Sequence, residues 1–474
     1  MKATLSDLAH GLVRKGFLSK TVLLISGVIV LSLATSISYA TDFYVDQSCS
    51  VQGNGTADQC ASSSGGSGAF TGLQDCFSAV GAGDTCFIKN GTYITSYRTN
   101  TPWYDGGFHI DGRGQANAPV TITNYPGHKP LIANCSATQT TYCANPTITA
   151  PMGEYVIIDG LVVRGSINMY GDFNNHTRGN IIRNTEITVG WGGVGDGNWS
   201  GIFLQNQSNM LIRGNYIHNL FIQDGGGQQS SASCVKMYHL NDSIVEFNTC
   251  RNVNIGSAAG GLDDKAQATR NILRYNWLEN VPTGIRINNQ LQSTGDQIYG
   301  NVVICSTQFS GGAGIKLLAN IDGIDIYNNT IAAGCTHGLT KVAGAAINDR
   351  FYNNIVMPRD NNTEWYSNVQ YSNYNAFTPS KRYRSAAGWQ QSLSGFQASS
   401  QTDINSMEVN CGFITTNSNY RLQNDSVCNT LGRVGGQPSG NVVQVGAYGV
   451  TQCVGHLCVG DPKRPSNPTA LLVQ

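Results

Sequence analysis

The sequence predicts an all-β fold: a single right-handed parallel β-helix solenoid with a short helix capping its N-terminal end. Three observations lead there. First, a Val/Ile-rich phrase recurs through most of the chain. It reads VIIDGLV at Gly160, IIRNTEI at Thr185, LIRGNYI at Asn215, VEFNT at Asn248, LRYNWL at Asn276, IYGNVV at Asn301, IYNNTI at Asn329 and FYNNIV at Asn354. These landmarks are 25, 30, 33, 28, 25, 28 and 25 residues apart, the interval of a repeat that cannot bury its apolar face alone. Second, each repeat holds several short Val/Ile runs broken by Gly and Asn, so the unit is a coil of strands. Third, the recurring Asn is expected to stack on the Asn of the next coil, its amide donating and accepting along a ladder.

Taken in order, the chain opens with the pattern of an export signal over residues 1–40. Arg14, Lys15 and Lys20 precede an apolar run from Thr21 to Ala34, and Ser38-Tyr39-Ala40 offers small residues for cleavage. The run is shorter than the ~20 residues a membrane span needs; an uncleaved anchor is the alternative reading. Residues 41–450 form the β-helix domain. Thr41–Val45 is its first strand, followed by a Gly/Ser-rich loop. Thr71–Val80 is helical by spacing, with Leu73, Phe77 and Val80 on one face, Thr71 and Gln74 as a capping box and Gly81 as a stop. This helix is expected to cover the open end of the solenoid. Gly83–Tyr93 begins the first coil and Pro119–Pro126 continues it. Residues 360–405 lose the repeat and carry Tyr366, Tyr371, Tyr374, Tyr383 and Trp389. They read either as an aromatic wall for sugar rings or as a loop packed on the coils. Residues 451–474 form a Pro-rich tail.

Composition narrows the function. The chain has 474 residues, a formal net charge of zero and 12% charged residues. No basic field exists to neutralise phosphate, which argues against a nucleic-acid partner. All 14 cysteines follow the expected cleavage point. An even count on an exported chain predicts disulfides, with Cys49–Cys60, Cys76–Cys86 and Cys453–Cys458 as local candidates. No CxxC pair suggests zinc. The expected protein is a monomer, secreted, periplasmic or at the cell surface.

The order of strand, Gly/Ser loop, Leu73–Phe77 helix, Gly83-Asp-Thr, Lys89-Asn-Gly-Thr-Tyr93 and Ala118-Pro-Val-Thr-Ile-Thr-Asn-Tyr-Pro-Gly127 resembles the opening of secreted right-handed parallel β-helix polysaccharide enzymes. These pectin-lyase-like proteins include the chondroitinase B and alginate lyase family. The likeness runs over about residues 41 to 360, and Asn419-Tyr-Arg-Leu-Gln and Val445-Gly-Ala-Tyr448 resemble the closing phrases of such proteins.

Aligning the first strand of each coil on its small leading residue gives a column of outward positions: Phe203, Lys236, Asp263, Arg286, Lys316, Thr340. Adjacent strands are about 4.8 Å apart, so Lys236, Asp263 and Arg286 are expected to be neighbours in solvent, with Lys265 two places along. Elimination from a uronic acid polymer needs a neutralised sugar carboxylate, a base and an acid. Cationic side chains or a bound Ca²⁺ can neutralise the carboxylate, and a Lys can serve as base. In the resembling family the catalytic Lys precedes an N-x-I-R-x-N-x-F segment; here Lys265 precedes Asn271-Ile-Leu-Arg-Tyr-Asn276-Trp-Leu, and Arg286 follows. The resemblance implies Lys265 as base and Arg286 as acid or charge stabiliser. Lys236, Lys316 and Phe203 are the expected substrate-binding residues. Asp263, Asp264 and Asp224 are the candidate calcium carboxylates, although the family's glutamates are replaced by Ala258, Ala259 and Gly260. Inverting hydrolysis is the alternative, with Asp263-Asp264 as an acid pair and Asp224 or Asp196 as partner. A non-catalytic glycan-binding β-helix is the third reading. His218 and His239 are further candidates to protonate a leaving group.

Overall fold

A computed structural model describes residues 40–95, 107–134, 146–189, 200–221, 233–254, 260–288, 293–308, 311–318, 321–332, 334–341, 348–359, 362–363, 371–379, 382–385, 388–415, 419–449 and 454–455. The expected export signal, Asp196, Asp224, the Cys453–Cys458 pair and nearly all of the Pro-rich tail lie outside them.

The repeat becomes a coil with three strands. One runs in a 12-stranded sheet from Asp42–Val45 to Tyr371–Asn373; the next lies in another 12-stranded sheet, from Thr92–Ile94 to Met407–Glu408. The third lies in a 10-stranded sheet that includes Ser200–Ser208, Ser233–Asn241, Gly260–Lys265, Thr283–Asn288, Ala313–Leu317 and His337–Lys341. Pairing within these three sheets is parallel throughout. The coils are wound around one continuous core of Val, Ile, Leu and Met from Val45 to Phe396.

Corners between the first and second sheets are made by a single residue with positive φ, such as Gly214 (67°), Tyr275 (59°), Gly300 (66°) and Asn328 (51°). Gly takes that conformation without steric cost, and Asn tolerates it. The residue after the corner turns its side chain inward, and this is the landmark Asn. Each Asn Oδ1 accepts from the backbone N–H and the Nδ2 of the Asn one coil earlier. The distances are 3.0 and 2.9 Å for Asn215 to Asn248, 3.0 and 3.0 Å for Asn276 to Asn301, and 2.9 and 3.0 Å for Asn329 to Asn354. Each Nδ2 also donates to a strand carbonyl of the preceding coil, as Asn301 does to Leu273 at 2.8 Å. The ladder therefore forms as expected, with two adjustments. At the first landmark Gly160 (φ 71°) is the corner and Leu161 the inward residue, so the ladder begins later, where the Thr185 N–H donates to Asn215 at 3.1 Å. It also extends beyond Asn354 to Asn375, which donates to Asp403 at 3.0 Å.

A second ladder, at the corner leading into the first sheet, was not read from the sequence. Val156 N–H donates to Asn180, Ser243 N–H to Asn271, Asn271 N–H to Asp296 and Ile324 N–H to Asp349, at 2.8 to 3.1 Å.

The N-terminal helix spans Leu73–Ala79, with Leu73, Cys76 and Phe77 buried against the end of the core. The expected capping box does not form. Gly72 is the N-cap, Thr71 binds Gln52, and the Gln74 amide pairs with both backbone groups of His109, at 2.8 and 2.9 Å. Covering the next strand satisfies Gln74 better than its own helix end. The coils also continue past residue 360, because Tyr371–Asn373 and Ala376–Phe377 are further rungs. Disulfides join Cys49–Cys60, Cys76–Cys86, Cys234–Cys250, Cys305–Cys335 and Cys411–Cys428. Among the described residues, no helix is long and apolar enough to cross a membrane.

Replacing Asn301 with Ala would leave the Asn276 N–H, the Asn329 Oδ1 and the Leu273 carbonyl each short of a buried partner. At about 1–3 kcal/mol per orphaned group, denaturant unfolding should show a loss of about 3 kcal/mol or more. An unchanged midpoint would contradict the ladder's role.

Candidate active site

The outer column of the 10-stranded sheet has the register expected from sequence. Asn168, Phe203, Lys236, Asp263, Arg286, Lys316 and Thr340 are partners in successive strands. Their strand neighbours Val235, Met237, Leu262, Ile285, Ile287, Ile315 and Leu317 fill the core, so the column faces away from it. Two places along, Gln205, Tyr238, Lys265 and Asn288 form a parallel column.

Asp263 is the electrostatic centre. Arg286 grips it with two hydrogen bonds, Nε to Oδ1 at 2.7 Å and Nη2 to Oδ2 at 2.6 Å. The Lys236 and Lys265 ammonium groups lie 3.8 and 3.7 Å from Oδ2. Burial pushes the Asp263 carboxyl up, but Arg286, with Lys236 and Lys265, outweighs it and holds the group below the usual carboxylate range. The bidentate fork suits Arg and fixes both side chains.

The column is less exposed than the sequence implied. Lys236 and Phe203 are buried, and Arg286 is 7% exposed; long side chains one strand spacing apart shield one another. Phe203 packs with its ring 5.7 Å from that of Tyr238, so it supports Tyr238 and presents no face to a ligand. Access is left to the partly exposed Lys265, Tyr238 and Lys316 and to the edge of Arg286. Lys265 Nζ donates to Tyr238 Oη at 3.3 Å and lies 5.3 Å from the centre of its ring. Tyr238 was missed in the sequence reading. The signal was present, since it lies two residues beyond Lys236 in the same strand.

Asp264 departs from expectation. Its strand partners are Met237 and Ile287, both core residues, so its side chain enters the solenoid while Asp263 leaves it. There it accepts from Asn271 at 3.4 Å. Burial, then the nearby Asp296, raises its pKa well above the ordinary value. Lys341 occupies the same inward column and pairs with Asp349 at 3.0 Å. The two carboxylates of the Asp263-Asp264 pair therefore cannot share an ion or a substrate, which corrects both the calcium and the hydrolase readings of that pair. Calcium needs open carboxylate oxygens, and those of Asp263 face three cations. Asp263 and Asp264 therefore do not form a calcium site together, and Asp224, the third candidate, lies outside the described residues. Among them the grouping closest to a ligand set is Asp46, Cys49 and Cys60, whose two cysteines form a disulfide. His218 lies on the second sheet beside Glu186 at 3.0 Å, away from the column. His239 follows Tyr238 but contacts Phe173.

No protein-family model matches the sequence, and no curated protein matches it. Among solved structures, XylC in complex with xylose superposes with a TM-score of 0.51 at 10% identity, over 87% of this chain and 99% of that one. The fold is a parallel β-helix. A pectate lyase aligns with a TM-score of 0.49 at 14% identity, over 87% of this chain and 97% of its own. An alginate lyase described as family PL6 aligns with 0.40 at 12% identity, over 74% and 54%. In this parallel β-helix, the candidate site lies where Lys236, Lys265 and Arg286 meet the Asp263 carboxylate.

The Asp264 assignment has a pH signature. A carboxyl whose folded pKa is raised contributes its stability fully below its unfolded value, near pH 4, and loses it as pH rises toward the folded value. Asp264→Asn should therefore gain stability relative to the native chain as pH rises above about 4 in denaturant titrations. A loss that grows with pH would show that the carboxylate is needed ionised.

Proposed function

We propose that the protein is an exported polysaccharide lyase that cleaves an acidic, uronic-acid-containing polysaccharide by β-elimination. One observation carries this reading: the outer column brings Lys236, Arg286 and Lys316 into successive register around Asp263, with Lys265 two places along, so four cationic side chains gather on one strip of a chain with no net charge. Such a face attracts an anionic chain and can stabilise the charge that builds on a uronate carboxylate as its neighbouring C–H is broken.

In this scheme Arg286 and Lys316 engage the sugar carboxylate. Arg286 is a charge stabiliser, because its guanidinium is already committed to Asp263. Lys265, in its neutral form, takes the proton from carbon. The C–O bond then breaks, a double bond forms in the uronate ring, and the leaving oxygen needs a proton. The Tyr238 hydroxyl, hydrogen-bonded to Lys265, is placed to deliver it and to be reprotonated by the lysine. Hydrolysis by inversion needs two carboxyl groups about 6.5–9.5 Å apart. Among the described outer-column residues Asp263 alone is a carboxylate, and it is neutralised. The five disulfides among the described residues support an oxidising compartment, secreted, periplasmic or at the cell surface.

Incubation with alginate, pectate or chondroitin should generate the absorbance of an unsaturated uronate, undiminished by a calcium chelator. Lys265→Ala should lower the rate about 10²- to 10⁴-fold, the usual size of a proton-transfer contribution. New reducing ends without that absorbance would replace the lyase with a hydrolase. Retention on a glycan column without cleavage would leave a binding module.

A further inference from the structure

We infer a second binding site for acidic polysaccharide on the hairpin of Arg382–Ser385 and Gly388–Gln390, at the far end of the same face. The inference rests on the proposed substrate class but not on catalysis.

The strand Arg-Tyr-Arg alternates in direction. Tyr383 points into the molecule, fully buried, with its ring 5.4 Å from Phe377 and 5.6 Å from Phe396. Its hydroxyl donates to Glu408 at 2.9 Å. Arg382 and Arg384 must then project away from the core, as alternate strand residues do. Trp389, cross-strand partner of Arg384, meets them there. The guanidinium carbons of Arg382 and Arg384 lie 5.1 and 5.7 Å from its ring centre, and Trp389 is 37% exposed. A buried, hydrogen-bonded tyrosine thus holds a rigid outward group of one indole and two guanidinium ions. An indole suits the apolar face of a pyranose ring, and guanidinium pairs with carboxylate or sulfate in a fixed geometry.

Position supports the same ligand. The hairpin pairs with Asn362–Thr363, which lies beside His337–Lys341, the last strand of the column sheet. Arg286 is two strand pairings from Thr340, and Trp389 is two pairings from Asn362–Thr363, which only contacts the Thr340 strand, so the separation is on the order of 24 Å. A solenoid presents such a distance as one continuous surface, so a polymer lying along the cation column would reach the hairpin. An isolated sugar unit would not.

Affinity electrophoresis in gels containing alginate, polygalacturonate or a neutral glucan tests this. The native chain should be retarded by the acidic polymers. Trp389→Ala, and separately the pair Arg382→Gln with Arg384→Gln, should each bind them about fivefold more weakly. Trp389→Phe should restore most of the retardation, which excludes misfolding as the cause. Trp389→Ala made on top of Lys265→Ala should weaken retardation by the same factor as in the native chain, whether or not the protein cleaves, so this test stands apart from the catalytic one. Unchanged retardation of Trp389→Ala, equal loss on the neutral glucan, or no retardation of the native chain would overturn the site.

Discussion

Everything in this molecule depends on how each coil turns its corners. A single residue with positive φ bends the chain from one sheet into the next, and the next side chain bridges inward to the coil above. Asparagine is suited to that second position because its amide donates twice and accepts twice. From Asn215 to Asn375 the ladder consumes the backbone N–H of each inward residue and a carbonyl of the preceding coil. These polar groups lie in a low-dielectric interior, where each unpaired one is costly. A one-residue slip would break the ladder and turn every strand inside out at once. The ladder therefore sets register.

Register in turn makes the site. Lys236, Asp263 and Arg286 are separated by 27 and 23 residues in sequence and by one strand spacing in space. No local motif joins them. The bidentate Arg286–Asp263 pair fixes the acid, with the Lys236 and Lys265 ammonium groups beside it. The contrast with the first sheet is instructive. There Glu246 lies between Arg213 and Arg274 at 3.2 and 2.7 Å, and Arg274 packs near the rings of Tyr275 and Tyr299. That cluster comes closer to balance, and its aromatic stack runs on through Tyr327 and Tyr352. It reads as support for the coils.

The coil, its corner asparagines and the order of the column were legible because a solenoid converts sequence period directly into spatial neighbours. Burial was not legible. Alternation tells which way Lys236 and Phe203 point, but not that adjacent long side chains cover them. Asp264 was misread because a two-residue acidic motif looks like one site in sequence, whereas a strand sends consecutive side chains to opposite faces. The N-x-I-R-x-N likeness also changes meaning. Asn271 belongs to one corner ladder and Asn276 to the other, so the phrase reports how the chain bends. What singles out Lys265 is its place beside Tyr238 and Asp263. The missed capping box has the same origin, since Gln74 found a better partner in a strand distant in sequence.

The most direct measurement is a crystal structure of the Lys265→Ala variant soaked with an acidic oligosaccharide. A uronate carboxylate should lie against Arg286 and Lys316, with the ring carbon beside it facing the space the Lys265 amine vacated. An oligosaccharide seated on either of the other two sheets, or one whose carboxylates avoid Arg286 and Lys316, would contradict the account.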